Sequence, residues 1–435
     1  ELRDIKNKDF LEFFYFVELN YLFSTFRLTE VCELKLFLFE ESINLPKFLL
    51  EKTDIFCLTL ENKYSEARLL NSLLLESEKK EDENFQNLFN FMISNEVSDP
   101  IFDSLKIKNF EELIFLYSAI LRINELPLDE KFIEIDPLNL SIPVILSSST
   151  KMDVRIKAAN EAFYDEVISI DSLSALYQSL DFNSKQLNNP DQTINTLNNN
   201  KELLMSFYYQ LVNVQIFPDQ RLKVVLDYWE FAKNVGLEKI AYALTDNIIQ
   251  TFNPSSENVK YGLEIALALI SNQNYEEAIK WINLYENAKL GDLKTDYAKF
   301  LISINNNNEL NTIIDYLSIN YENLNNIKDQ NAIETLEVLI QFLEIEKSLY
   351  NSSYNLITDN RLMPTYFLLK DLEYNLDSKK DKTVFILTLI SLNNKKWTEL
   401  HPEHLNLILK VFSFYNQGIL LKPIILEILN ELEIF

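Results

Sequence analysis

The stretch Ala266–Ala288, ALALISNQNYEEAIKWINLYENA, decides the fold. Leu263, Ala266, Leu267 and Ile270 recur at i, i+3, i+4 and i+7, the stripe one helix face presents to a core. Three polar residues, Asn272–Asn274, break that pattern, and Tyr-Glu-Glu-Ala then opens a second helical run. Asn274 precedes Glu277 at capping-box spacing. The spacing predicts two helices joined by a three-residue turn, an antiparallel hairpin.

The same template extends outward in both directions. Leu222, Val225, Leu226 and Trp229 follow it, as do Leu237, Ile240, Ala241 and Leu244, and also Phe110, Leu113, Ile114 and Tyr117. Asn109 precedes Glu112 at the same capping spacing, and Pro218 suits the first turn of the helix that holds Trp229. Second helices are expected to begin near Leu237, Tyr275 and Glu309, roughly 34 to 38 residues apart, the length of one hairpin in a stacked array. The best strand candidate, Phe132–Ile135, is short.

Glycine usage agrees with a helix-only scaffold. The chain has 435 residues and 4 glycines, Gly236, Gly262, Gly291 and Gly418, where average usage of about 7 % would give roughly thirty. Turns that need positive φ are where glycine is used. No two glycines stand close enough for a phosphate-cradling loop, so P-loop and dinucleotide fingerprints are excluded. No Gly-x-Ser-x-Gly elbow and no EF-hand loop matches either.

Asp and Glu number 66 against 40 Lys and Arg, a formal charge of −26. Binding nucleic acid requires clustered basic residues, and none is present. Anionic membrane surfaces are disfavoured for the same reason. A basic protein, a cationic peptide or a divalent cation is electrostatically compatible; acid that only solvates outer helix faces is the plainer alternative. The apolar run Phe10–Phe26 is interrupted by Glu12 and Glu18 and reads as helix core, with no membrane insertion. The chain begins at Glu1, which fits a trimmed chain or a mature form whose export signal is gone.

Candidate chemistry is sparse. His401 and His404 flank Pro402 and Glu403, and an i, i+3 pair on a helix can share a metal; solvent-facing residues at a helix start are the alternative. Trp229, Trp281 and Trp397 each sit on an amphipathic stretch and read as core, with a peptide-holding groove the lesser reading. The Glu41–Ser42 and Glu76–Ser77 pairs lack the glycine-containing motifs of cell-wall lytic enzymes. No catalytic residue, metal ligand or cofactor is assigned.

Pro127, Pro137, Pro143 and the run Ser147–Thr150 interrupt residues Asn124–Lys151, and a second irregular region, Asn183–Asn200, is rich in Asn. The chain is therefore divided into an N-terminal helical-hairpin region, 1–150, and a C-terminal α-solenoid, 151–435, packed as one elongated body. The Asn-rich turns, Asn305–Asn308 included, are given no function. Cys32 and Cys57 lie equally far from a turn at Ile43–Pro46, between helices read as Leu28–Ser42 and onward to Glu61. If both face the seam, a disulfide fits and points to an oxidising compartment; two small buried thiols are the alternative.

Ala266–Ala288 resembles a tetratricopeptide-type hairpin, and CLTLENKYSEARLL (Cys57–Leu70) carries a similar junction. Cys57–Ser77, DVRIKAANEAF (Asp153–Phe163) and SLSALYQSLDF (Ser172–Phe182) together resemble an uncharacterised helical-repeat family of alphaproteobacteria, over most of residues 28–290. That resemblance implies an exported, periplasmic protein with Cys32 and Cys57 as its cysteine pair, and no assigned activity; cytoplasmic is the alternative location. The expected protein is all-α, an α-solenoid of stacked antiparallel hairpins with degenerate repeats. Its expected role is a non-enzymatic scaffold of the bacterial envelope, binding a protein partner on an acidic surface. Two alternatives are a helical-toroid enzyme with a carboxylate-based site on an envelope polymer and a self-associating structural component. Converging carboxylates with raised pKa would mark the enzyme, an exposed apolar stripe the scaffold.

Overall fold

The computed structural model describes residues 8–43, 45, 48–78, 82–94, 102–104, 113–306, 316, 330–343, 361, 363–378, 381–393, 395–414 and 420–432. Those residues are all-α: helices and turns, with no strand among them. The chain divides into two compact units, Glu1–Phe252 and Asn253–Phe435.

The first unit holds α1 (Lys8–Ser24), α2 (Leu28–Glu40), α3 (Leu49–Leu60), α4 (Tyr64–Ser77), α5 (Glu83–Ser94), α6 (Ile114–Ile123), α7 (Glu130–Ile135) and α8 (Pro137–Leu146). It continues with α9 (Met152–Tyr164), α10 (Ile170–Gln178), α11 (Ser184–Asn188), α12 (Pro190–Leu197), α13 (Lys201–Val214), α14 (Pro218–Asn234) and α15 (Glu238–Ile249). The second unit holds α16 (Gly262–Ser271), α17 (Tyr275–Asn287), α18 (Leu293–Asn306), α19 (Gln330–Phe342), α20 (Tyr366–Asp377), α21 (Asp381–Leu392), α22 (Pro402–Phe414) and α23 (Leu421–Glu431). Neighbours in sequence pack as hairpins: α3 with α4, α8 with α9, α13 with α14, α14 with α15, α16 with α17, and α20 with α21. Residue 150, where a division was expected, lies inside the first unit between the packed helices α8 and α9.

The hairpin at Ala266–Ala288 forms as read, α16 and α17 joined by Asn272–Asn274. Leu263, Ala266 and Ile270 are buried on one side, Ala278, Trp281 and Ile282 on the other. Gly262 sits where a Cβ would come within 3.3 Å of the Trp281 carbonyl oxygen and of Tyr285 Cβ, so its missing side chain allows the two helices to approach. All three tryptophans are buried, and Trp229 Nε1 donates to Thr245 Oγ1 at 3.0 Å.

The turns correct one premise. Positive φ is plentiful, but among the described residues glycine supplies it at one place only. Phe26, Ser42, Asn62, Glu125, Glu166, Gln273 and Lys289 all adopt φ between 54° and 61° just beyond a helix end. The amide that follows reaches back into the last turn: Asn274 N–H to Leu269 O at 2.8 Å, Val167 N–H to Ala162 O at 2.7 Å. This closure satisfies terminal helix carbonyls, and its left-handed position favours glycine. Among the described residues, Gly236, φ +75°, is the one glycine that fills such a place.

Three local expectations change. Phe132–Ile135 is not a strand; it belongs to α7, whose first turn is capped by Asp129 accepting from the Lys131 amide at 3.0 Å. Pro143 does not break the chain, since α8 runs through it from a start capped by Asp136. Asn183–Asn200 is not irregular but forms α11 and α12, and the capping box is made by Asn183 with Gln186. Asn274 precedes α17 without a side-chain cap bond. The Asn109–Glu112 start, the helix near Glu309, and Asn307 and Asn308 lie outside the described residues.

Candidate functional site

A cleft of about 590 Å³ opens along α14, lined by that helix together with α12 and α13. Proline at the first turn starts both α12 and α14, where its missing N–H costs nothing. Asn200 starts α13 between them, its side chain accepting the Leu203 amide at 3.0 Å. Helical spacing then decides what faces the cleft. From α14 come Gln220, Lys223, Val224, Asp227, Glu230, Phe231 and Asn234; from α13, Tyr208 and Leu211; from α12, Pro190, Asp191 and Ile194; Gln215 closes one end.

The floor is aromatic. Tyr208 stacks on Phe231 with centroids 5.3 Å apart and on Tyr228 at 5.9 Å. Burial raises the pKa of the Tyr208 hydroxyl, and the charges of Asp227, Glu230 and Asp191 raise it further. Three carboxylates from two walls therefore act on one phenol. The pKa of the Asp227 carboxyl is itself raised, first by partial desolvation against the cleft wall, with Lys223 opposing and Glu230 adding. Against these acids the cleft offers a single lysine, Lys223. At the Gln215 end the α13–α14 connection exposes apolar side chains, Ile216 at 83 % and Phe217 at 66 %. The arrangement suits an organic cation with an apolar body. Among the described residues no group of three or more His, Cys, Asp or Glu is placed to hold a metal ion.

Cys32 on α2 and Cys57 on α3 form a disulfide, S–S 2.01 Å and Cα–Cα 5.7 Å. Lys35 and Asp54 pair at 2.7 Å on the same two helices. The histidines are not solvent-facing. His404 is buried with Nε2 3.0 Å from Ser391 Oγ, and burial lowers its pKa to about 4. His401 is buried too, and its Nδ1 accepts the Glu403 amide.

Sequence reading missed the cleft. It took Leu222, Val225 and Trp229 as the buried face of α14, and these are buried. The signal lay on the opposite face, where Val224 and Phe231 put apolar bulk among the acids. Among the described residues no helix is long and apolar enough to cross a membrane. No protein-family model, curated protein or solved structure matches this chain.

Proposed function

We propose that this chain is a non-enzymatic interaction scaffold of the bacterial envelope, related to exported helical-repeat proteins and stacked as an α-solenoid, whose α12–α14 cleft binds a basic segment of a protein partner. The observation that carries the reading is that Asp191 from α12 and Asp227 and Glu230 from α14 line one cleft together with Tyr208, Val224 and Phe231. Electrostatic complementarity of this kind selects partners and speeds encounter. The Cys32–Cys57 bond supports an oxidising compartment such as the periplasm. The test is affinity capture from the native organism with the wild-type chain and with Asp227→Lys/Glu230→Lys. A partner held by the first and lost by the second supports the scaffold; a partner indifferent to the reversal overturns the cleft as its site.

One observation favours a second reading, a carboxylate-based enzyme acting on an envelope polymer. Asp227 has a raised pKa, and Asp191 lines the same cleft from another helix. Turnover of an envelope polysaccharide that Asp227→Asn abolishes without loss of binding would select this reading.

A further inference from the structure

Helix α21 reverses the usual surface pattern. Its inward side carries hydroxyls beside Val384: Thr388 and Ser391 are both buried. Thr388 Oγ1 donates to Val384 O and Ser391 Oγ to Thr388 O, each at 2.8 Å. Its outward side is aliphatic. Ile386, Leu389 and Ile390 are each more than half exposed, and helical spacing turns them away from Val384, Thr388 and Ser391. An ordinary surface helix is apolar within and polar without.

The first turn of α20 extends this face. A short turn joins α20 to α21 and the two pack as a hairpin, so they run antiparallel and the start of α20 lies beside the end of α21. There Tyr366 is more than half exposed and Phe367 is 81 % exposed. At ~200 Å² for a whole aromatic and somewhat less for Ile or Leu, the five side chains expose roughly 600 Å². The largest apolar patch of a typical monomer is about 300–600 Å². Two such faces together bury about 1,200 Å², the size at which stable interfaces begin.

Charge selects what covers the face. The chain carries −26, so most contacts between two copies would set acid against acid. From Thr383 to Leu392, however, α21 has no charged residue. Around it, Lys370 and Lys382 stand against Asp371, Glu373 and Asp377, with Lys370 and Glu373 paired at 2.5 Å. A basic partner finds no acid at the centre, and an acidic partner finds no excess of base. An uncharged apolar centre is what homodimer contacts favour, and a twofold contact of one face with itself closes without leaving a sticky edge.

We propose that the α20–α21 hairpin pairs with a second copy of this chain about a twofold axis. Ile386, Leu389 and Ile390 form the centre of the contact, and Tyr366 and Phe367 cover its flank. The face belongs to the second unit and the cleft to the first, so neither reading rests on the other.

Sedimentation of the full chain at up to about 100 µM should give a dimer. Ile386→Lys/Ile390→Lys sets unpaired ammonium groups in the contact and should weaken it about a hundredfold or more. Both side chains are exposed, so circular dichroism should stay that of the wild type. Ile386→Ser/Ile390→Ser adds no charge and should weaken the dimer about tenfold, which reads the contact even where lysine disturbs the helix. Leu389→Cys adds a lone thiol, since Cys32 and Cys57 are paired with each other. A bifunctional thiol reagent should link two chains through it, and the double lysine change in that background should abolish the link. A wild type that stays monomeric overturns the pairing, whether or not some other protein then covers the face. A dimer that survives both double variants, or that Leu389→Cys does not link, overturns this face as its contact.

Discussion

Lys52 Nζ lies 2.8 Å from Glu78 Oε1, with the two side chains 2 % and 5 % exposed. Asp82 Oδ2 is also 2.8 Å from that ammonium and accepts the Tyr117 hydroxyl at 2.5 Å. Asp82 Oδ1 accepts the Phe85 amide at the start of α5. One lysine thus ties α3, the entry to α5, and α6. Burying charge is costly, and removing one partner of a buried pair typically costs about 3–5 kcal/mol because the other stays uncompensated. Lys52→Met should lower the urea-unfolding stability of the first unit by about that amount, and Glu78→Gln added to it should restore part. A loss under about 1 kcal/mol would mean that water already screens the pair.

The positive-φ turns make a prediction of opposite sign in two places. A non-glycine residue in the left-handed region loses roughly 1 kcal/mol, and glycine's greater unfolded-state freedom returns part of that. Gln273→Gly and Lys289→Gly, at φ 60° and 61°, should together stabilise the second unit by about 1 kcal/mol. Gly236→Ala should destabilise the first by about 1 kcal/mol, through backbone conformation alone, since nothing lies within 4 Å of an added Cβ. Chemical denaturation of the three variants measures both signs; a destabilising Gln273→Gly would refute the account of these turns.

The Cys32–Cys57 bond closes a separation of 25 residues. Loop-closure entropy for that length gives about 3.5 kcal/mol of stability. Cys32→Ser/Cys57→Ser should therefore unfold at lower denaturant than the oxidised chain, and reduced wild type should match the double variant. Alkylation without reductant should add no mass to protein taken from an oxidising compartment. Two labelled thiols there would remove the support for the periplasm.

How far the sequence could be read follows from what each stretch repeats. Leu222, Val225 and Trp229 recur over two turns of α14, so period 3.6 was legible there. Phe132–Ile135 offers three apolar residues and one glutamate, too short a run to separate strand from helix, and Asp129 decides by capping α7. Asn183–Asn200 looked like loop because Asn is a poor helix interior residue; the capping box at Asn183 and Pro190 at a first turn offset that. The cleft was illegible for a different reason. Asp191, Tyr208 and Asp227 meet through the packing of α12, α13 and α14, and no local pattern records which faces of different helices converge.

Asp227 links the cleft to the fold. Its folded-state pKa is raised above the unfolded value, chiefly by partial desolvation against the cleft wall. The sign follows from linkage: stability from the proton it holds is present below the unfolded pKa and lost as pH rises through the folded one. At neutral pH, Asp227 in the empty cleft is therefore a cost to stability, and Asp227→Asn should raise the thermal midpoint of the unliganded chain. A cation in the cleft favours the ionised carboxyl and lowers its pKa again. Affinity for a basic peptide should then fall as pH drops through Asp227's raised pKa, at a higher pH than an ordinary aspartate would cause. Asp227→Asn should bind more weakly at neutral pH and lose that part of the slope. Calorimetric titrations across the carboxylate range, with both proteins and one lysine-rich peptide, measure the proton released on binding. Identical slopes for the two proteins would show that Asp227 does not face the ligand.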